Sequence, residues 1–249
     1  MEIVVARDAA EVAVTAAARV AELVCRRPTA VLGLATGSSP LGLYSELVRH
    51  VQGGLDMSGV RAFALDEYVG LPPEDRRSYA AVIRTHVTEP LGLDPGRVRV
   101  PTGVADDLDA ACGEFEDDIC AAGGVDLQIL GIGRNGHLGF NEPGSLFESR
   151  TRVAALAEST RRDNARFFDR LEDVPTLCVT QGLATIMAAR TAVLIATGAA
   201  KAGALAEAVR GPVSTQCPAS ILQQHPDVVV IVDPPAAAGL EVRDRLLSR

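Results

Sequence analysis

Fifteen residues, GIGRNGHLGFNEPGS at 131–145, gather five glycines, one of the chain's four histidines, two asparagines and a glutamate directly after the apolar run LQIL. An imidazole exchanges protons near neutrality, so His137 in such a loop suits acid–base work. Glu142, five residues on, is placed to orient or charge-tune it. A purely structural histidine is the alternative. Positions 131, 133 and 136 also spell GxGxxG. As a dinucleotide fingerprint this is weak, because no clean helix with an acidic partner about 20 residues further on follows it.

Two more polar stretches end apolar runs. Asp66, Glu67 and Tyr68 lie in LDEYVG. Paired acids there can be general bases, metal ligands or a solvated turn. ATGSSP at 35–40 offers Thr36, Gly37, Ser38 and Ser39 ahead of a helix. Backbone N–H groups at such a turn can cradle a phosphate, but the lysine and spacing of a P-loop are missing, and a serine-capped helix start is the alternative. Arg166 in NARFF and Lys201 in TGAAKA are either surface charges or phosphate ligands, one as a fork and one as a point charge.

The elements that must position these groups alternate. Strands are expected at 3–5, 30–34, 61–65, 97–100, 126–130, 177–180, 192–196 and 228–232. Between them lie Ala-rich amphipathic segments. The first is capped by Asp8 and another by Asp106, and a last helix is expected at 235–247. DEYVGLPPEDRRS reads as a loop. This alternation implies an α/β fold with a doubly wound, mostly parallel sheet and helices on both faces. In such sheets ligands bind beyond the carboxyl ends of the strands, so the three polar loops should face one crevice. No repeat or composition break divides the chain, so residues 1–249 are expected to form a single catalytic domain, with 151–180 a candidate lid.

Composition narrows the class. The net charge is −8 and there is no basic stripe, which argues against nucleic acid. No uncharged run approaches the ~20 residues of a membrane span, and charges interrupt the amino-terminal segment where a signal peptide would be apolar. Five cysteines without a CxxC read as reduced thiols of a cytoplasmic protein, not a zinc site.

LATGSSP, LDEYVGLP, SY, GIGRNGHLGFNEPGS, SRTR, NARFFD and TGAAKA, in that order, resemble the glucosamine-6-phosphate deaminase family from about residue 3 to about residue 232. The resemblance implies a fold shared with 6-phosphogluconolactonases, a small sugar phosphate as substrate, and no metal or organic cofactor. It implies that Asp66 moves a proton between C2 and C1, that His137 opens the pyranose ring, and that Glu142 is its acidic partner. Thr36, Gly37, Ser38 and Ser39 would form the phosphate loop, with Arg166 and Lys201 as its cations. Tyr68 and Gly136 would shape the pocket. A homo-oligomer is left open.

Two departures bear on this. Some members carry Asp where this chain has Asn135, and an amide cannot stabilise imidazolium by charge, so activity should survive with a shifted pH profile. Regulated members carry Lys and Thr where this chain has Ala154 and Ala155, after a retained Ser145 and Arg152. Activation by N-acetylglucosamine 6-phosphate is therefore expected to be weak or absent, and a sigmoidal substrate curve made hyperbolic by that ligand would contradict this. The competing readings are a 6-phosphogluconolactonase, against which FNEP argues, a galactosamine 6-phosphate variant, and a sugar-phosphate sensor without chemistry.

Overall fold

The computed structural model describes residues 1–240. In chain order the strands are β1 (Glu2–Val5), β2 (Val31–Leu34), β3 (Arg61–Ala64), β4 (Asp66–Tyr68), β5 (Val98–Arg99), β6 (Leu127–Gly131), β7 (Arg152–Ala155), β8 (Leu177–Thr180), β9 (Thr191–Ala196) and β10 (Val228–Val232). The α-helices are α1 (Ala9–Arg26), α2 (Leu41–Gln52), α3 (Tyr79–Ile83), α4 (Leu108–Ala121), α5 (Glu158–Asn164), α6 (Leu183–Met187) and α7 (Ala202–Arg210). Seven strands form one sheet in the order β1-β10-β9-β6-β2-β3-β5. Every pairing in it is parallel. β2, β6, β9 and β10 are apolar and buried along almost their whole length, as strands covered on both faces must be.

Local chemistry sets the helices. The Asp8 carboxylate accepts from the Glu11 N–H and starts α1, which buries Val12, Ala16, Val20 and Val24 along one stripe. Asp107, not the expected Asp106, caps α4, because its side chain reaches the Ala110 N–H. Of the helix expected at 235–247, the described part holds a 3₁₀ turn at Ala236–Gly239, and residues 241–247 lie outside the described residues.

The sheet order places the site. The chain leaves β2 toward β3 and leaves β6 toward β9, in opposite directions, while β2 and β6 are neighbours. That reversal opens a crevice beyond their carboxyl ends, and the loops at 35–40 and 131–145 flank it.

Residues 66–68 do not form the expected loop. They are an edge of a second, antiparallel sheet of order β4-β8-β7, with Asp66 opposite Thr180 and Tyr68 opposite Cys178. The pairing partners lie over a hundred residues away, so no local pattern could announce a strand of three residues. A small separate core of Tyr68, Phe140, Leu156, Phe168, Val174 and Cys178 seats this sheet and the 151–180 segment on the body. Its aromatic rings meet at 4.9 Å (Tyr68–Tyr79), 5.5 Å (Tyr68–Phe140) and 5.7 Å (Tyr68–Phe168).

Candidate active site

A cavity of about 340 Å³ opens at the crevice. Thr36, Gly37, Ser38 and Ser39 line it from the loop after β2, and Gly131, Ile132, Gly133, Arg134, His137, Gly139 and Phe140 from β6 and its loop. Asp66 and Tyr79 close the floor, and Thr160, Asp163, Asn164, Arg166 and Lys201 the remaining wall. The volume suits a ligand of monosaccharide size. Among the described residues no group of three or more His, Cys, Asp or Glu could hold a metal ion.

Asp66 is 4% exposed, and among the described residues its one side-chain hydrogen-bond partner is the Thr36 hydroxyl at 3.4 Å. Burial, and after it the nearby Glu67 carboxylate, push the Asp66 pKa up to about 8; the Thr36 contact opposes this weakly. Alternation along β4 turns Glu67 the other way. Its oxygens accept from the Tyr68, Tyr79 and Ala80 N–H groups at 2.8–2.9 Å, so it caps α3 together with Ser78. The acidic pair therefore divides its work. Glu67 is consumed by backbone donors, whereas Asp66 faces the cavity nearly unpaired.

His137 lines the cavity, and Glu142 stands behind it, with imidazole Nδ1 3.4 Å from Glu142 Oε2. This is the approach of an ion pair, longer than a good hydrogen bond. Asn135 Nδ2 donates to the same oxygen at 2.7 Å and the Ala157 N–H to the other at 3.3 Å. Burial favours the neutral acid, but His137, Thr160 and Asn135 outweigh it and hold Glu142 below the usual carboxylate range. Asn135 thus serves the carboxylate with its N–H₂, while its Oδ1 accepts from the His137 N–H at 3.3 Å.

Two glycines make this packing feasible. A Cβ on Gly133 would fall 2.3 Å from imidazole Cε1 and Nδ1, so the ring lies against bare backbone. Gly139 has φ +56°, and a Cβ there would sit 3.1 Å from both Asp66 Oδ2 and Thr180 Oγ1. Gly133→Ala must displace the imidazole. A shift of about 1 Å at a reacting group can cost about 10²-fold, so kcat is expected to fall by that order with little change in melting temperature. Unchanged steady-state kinetics would show that the ring position is not limiting.

Cations also line the cavity. Arg166 Nη2 approaches Ser38 Oγ at 3.5 Å, and its guanidinium lies 4.7 Å from the Phe167 ring centroid. Lys201 Nζ donates to the Ile132 carbonyl at 2.7 Å, and burial lowers its pKa. Both Asp233 oxygens accept from the Gly198 N–H at 3.0 Å, which holds the turn that carries Lys201. At the start of α2, Pro40 supplies no side-chain cap, so no capping side chain claims the first N–H groups.

Four residues expected at the site do not line the cavity. Tyr68 lies one layer behind, its hydroxyl accepting from Tyr79 Oη at 3.2 Å and from Asn164 Nδ2 at 2.9 Å. Gly136 faces Cys217 instead of the cavity. Asn135 and Glu142 back His137. Tyr79, Arg134, Thr160, Asp163 and Asn164 line the cavity although their motifs do not mark them as site residues. The spacing of Thr160, Asp163 and Asn164 at i, i+3 and i+4 puts them on one helix face just ahead of Arg166, a signal that could have found them.

Comparison with known proteins agrees with this geometry. Residues 5–231 match the family described as glucosamine-6-phosphate isomerases/6-phosphogluconolactonase. The glucosamine-6-phosphate deaminase of Cutibacterium acnes is 58% identical over 98% of this chain and 94% of its own length. That of Rhodococcus opacus is 52% identical with the same coverage. The solved structure of a monomeric glucosamine-6-phosphate deaminase superposes with a TM-score of 0.94 at 40% identity, covering 96% of this chain and 99% of that one. A 6-phosphogluconolactonase from Leishmania guyanensis shares the fold, with a TM-score of 0.78 at 19% identity over 97% of this chain and 99% of its own.

Proposed function

The chain belongs to the glucosamine-6-phosphate isomerase/6-phosphogluconolactonase family, and from that premise we propose that it is a glucosamine-6-phosphate deaminase, converting glucosamine 6-phosphate and water to fructose 6-phosphate and ammonia. The observation that carries this reading is the convergence, in one cavity, of a buried and nearly unpaired carboxylate, an imidazole backed by a carboxylate, and a serine-rich turn faced by Arg166 and Lys201.

The sugar is bound with its phosphate on the turn at 36–39 and the two cations. His137 takes the proton of the C1 hydroxyl and returns one to the ring oxygen, so the C1–O5 bond breaks and an aldehyde forms. Glu142 stabilises the imidazolium while it carries that proton. The aldehyde acidifies the C2 proton, which ionised Asp66 removes; the electron pair moves onto O1, which gains a proton as the C2 ammonium loses one, giving an enolamine. Asp66 then delivers the proton to C1, leaving a 2-imino sugar. Water adds to C2 and ammonia leaves, which forms the C2 ketone of fructose 6-phosphate. Binding energy at the distant phosphate holds C2 against Asp66. The segment at 157–176, carrying Thr160, Asn164 and Arg166, would cover the cavity and exclude bulk water.

Asp66 must be ionised to act, and burial pushes its pKa up to about 8. The substrate's ammonium group at C2 would favour the ionised form. The test is ammonia and fructose 6-phosphate release by the purified protein. Stoichiometric products support the reading. Hydrolysis of 6-phosphogluconolactone without ammonia would move the chain to the other branch of its family.

A further inference from the structure

The cavity wall holds a carboxylate that does not suit an anion site. Asp163 lies on α5, three residues before Arg166 and on the same face, so it shares a wall with the groups meant for a phosphate. A bare carboxylate there would repel a dianion. Its partner comes from across the crevice. Arg134, on the loop after β6, approaches Asp163 Oδ1 through Nη1 at 3.3 Å, and both residues line the cavity. Their side chains are 60% and 44% exposed, and an exposed pair of this kind contributes only about 0–1 kcal/mol to stability. Stability is therefore a poor explanation for joining two separate elements at the cavity mouth.

The contact leaves Arg134 underused. A guanidinium has five N–H donors, and the bond to Asp163 is the only hydrogen bond Arg134 makes among the described residues. The remaining donors sit at the mouth of a cavity whose other cations are Arg166 and Lys201. These groups feel one another: the charges of Asp163, Arg134 and Arg166 all bear on Lys201. With Asp163 offset by Arg134, the wall keeps the positive balance a phosphate dianion needs.

We propose that Arg134 is a third cation for the substrate's phosphate and that Asp163 is a positioning residue that aims it across the cavity mouth. This rests on the reading of the cavity as a phosphosugar site. The bridge orients the guanidinium through one nitrogen and leaves the rest of the fork to meet phosphate oxygens as the sugar enters. A contact made to the phosphate and not to the reacting carbons acts on binding.

The experiment measures kcat and KM for glucosamine 6-phosphate, together with the dissociation constant of inorganic phosphate by calorimetry, in five proteins: the parent, Arg134→Met, Arg134→Lys, Asp163→Ala and the double variant Arg134→Met/Asp163→Ala. Arg134→Met is expected to raise KM and the phosphate dissociation constant together by about five- to tenfold, the size of an ordinary net hydrogen bond, as suits a half-exposed guanidinium, with kcat changed less than about twofold. Arg134→Lys should recover part of the loss, because it restores the charge without the fork. Asp163→Ala should raise both constants by about two- to threefold alone and have no further effect in the Arg134→Met background, as a residue acting through Arg134 must. Unchanged KM and phosphate affinity in Arg134→Met would overturn the proposal. So would an Asp163→Ala effect that persists without Arg134, or one that tightens phosphate. A parent that binds phosphate but releases no ammonia sinks the deaminase reading alone, since the calorimetric arm needs no turnover.

Discussion

Asp66→Asn is expected to abolish ammonia release, lowering kcat by about 10³-fold or more, while making the folded protein more stable than the parent at pH 8. Both results have one cause. The loss of activity removes the only carboxylate that faces the cavity nearly unpaired, and a positioned base contributes about 10²–10⁴-fold. The gain in stability follows from the raised pKa. In the folded protein Asp66 holds its proton up to about pH 8, against a value of 3.8 without the fold. Between those values the unfolded chain has released the proton and the folded chain has kept it. Rising pH therefore favours the unfolded chain, and the parent loses stability from about pH 4 up to about pH 8. Asparagine keeps the shape and does not titrate, so the variant escapes that loss. A stabilising replacement of this kind commonly adds about 0.5–2 kcal/mol, or about 2–4 °C per kcal/mol for a chain of this size. Thermal melts at pH 5 and pH 8 check it. The melting-temperature difference between variant and parent should widen at pH 8, and an equal difference at both pH values would mean that Asp66 is not held neutral. The same raised value predicts that kcat/KM of the parent climbs toward pH 8, far above the range of an exposed carboxylate.

His137→Gln carries the second large effect, and its signature differs from that of Asp66→Asn. Glutamine preserves polarity but cannot shuttle a proton, so kcat/KM should fall by about 10²–10⁴-fold. Activity should not vanish, because an amino sugar opens its ring slowly without help and Asp66 remains to act on the aldehyde. Ring opening then limits turnover. With substrate deuterated at C2, the variant should show almost no isotope effect on kcat, since the C2–H bond breaks after the slow step. A full primary isotope effect in the variant would place His137 in the C2 proton transfer and remove it from ring opening. The variant also removes the imidazole beside Glu142. Burial and the hydrogen bond from Asn135 remain, so a modest loss of stability should accompany the kinetic change.

The loops that bear the chemistry were legible because their content is local. ATGSSP announces a helix start with free hydroxyls, and GHLGFNEP pairs an imidazole with a carboxylate at short range. The apolar runs behind them announced parallel strands, because a strand buried on both faces is continuously apolar. Asp66 and Glu67 could not be told apart in this way. Neighbours in the sequence, they received opposite fates from β8, over a hundred residues on, and from the start of α3, twelve residues on, and neither meeting is written in the local pattern. Tyr68 was legible as a residue beside the base, yet the aromatic core turned it inward and brought Tyr79 to the cavity.

The sequence by itself determined which side chains are available, where strands and long helices run, and that the polar loops follow strands. Only the tertiary structure decided which of those side chains meet. The Arg134–Asp163 bridge joins residues 29 positions apart, and the Arg166–Ser38 approach spans 128. It also raised the pKa of Asp66, through burial at the edge of the second sheet and the nearby Glu67 carboxylate, opposed only weakly by the Thr36 hydroxyl. The physical reason is the same in each case. Propensity and hydrophobic periodicity act over a few residues, whereas desolvation and charge pairing depend on what the whole chain brings to one point in space.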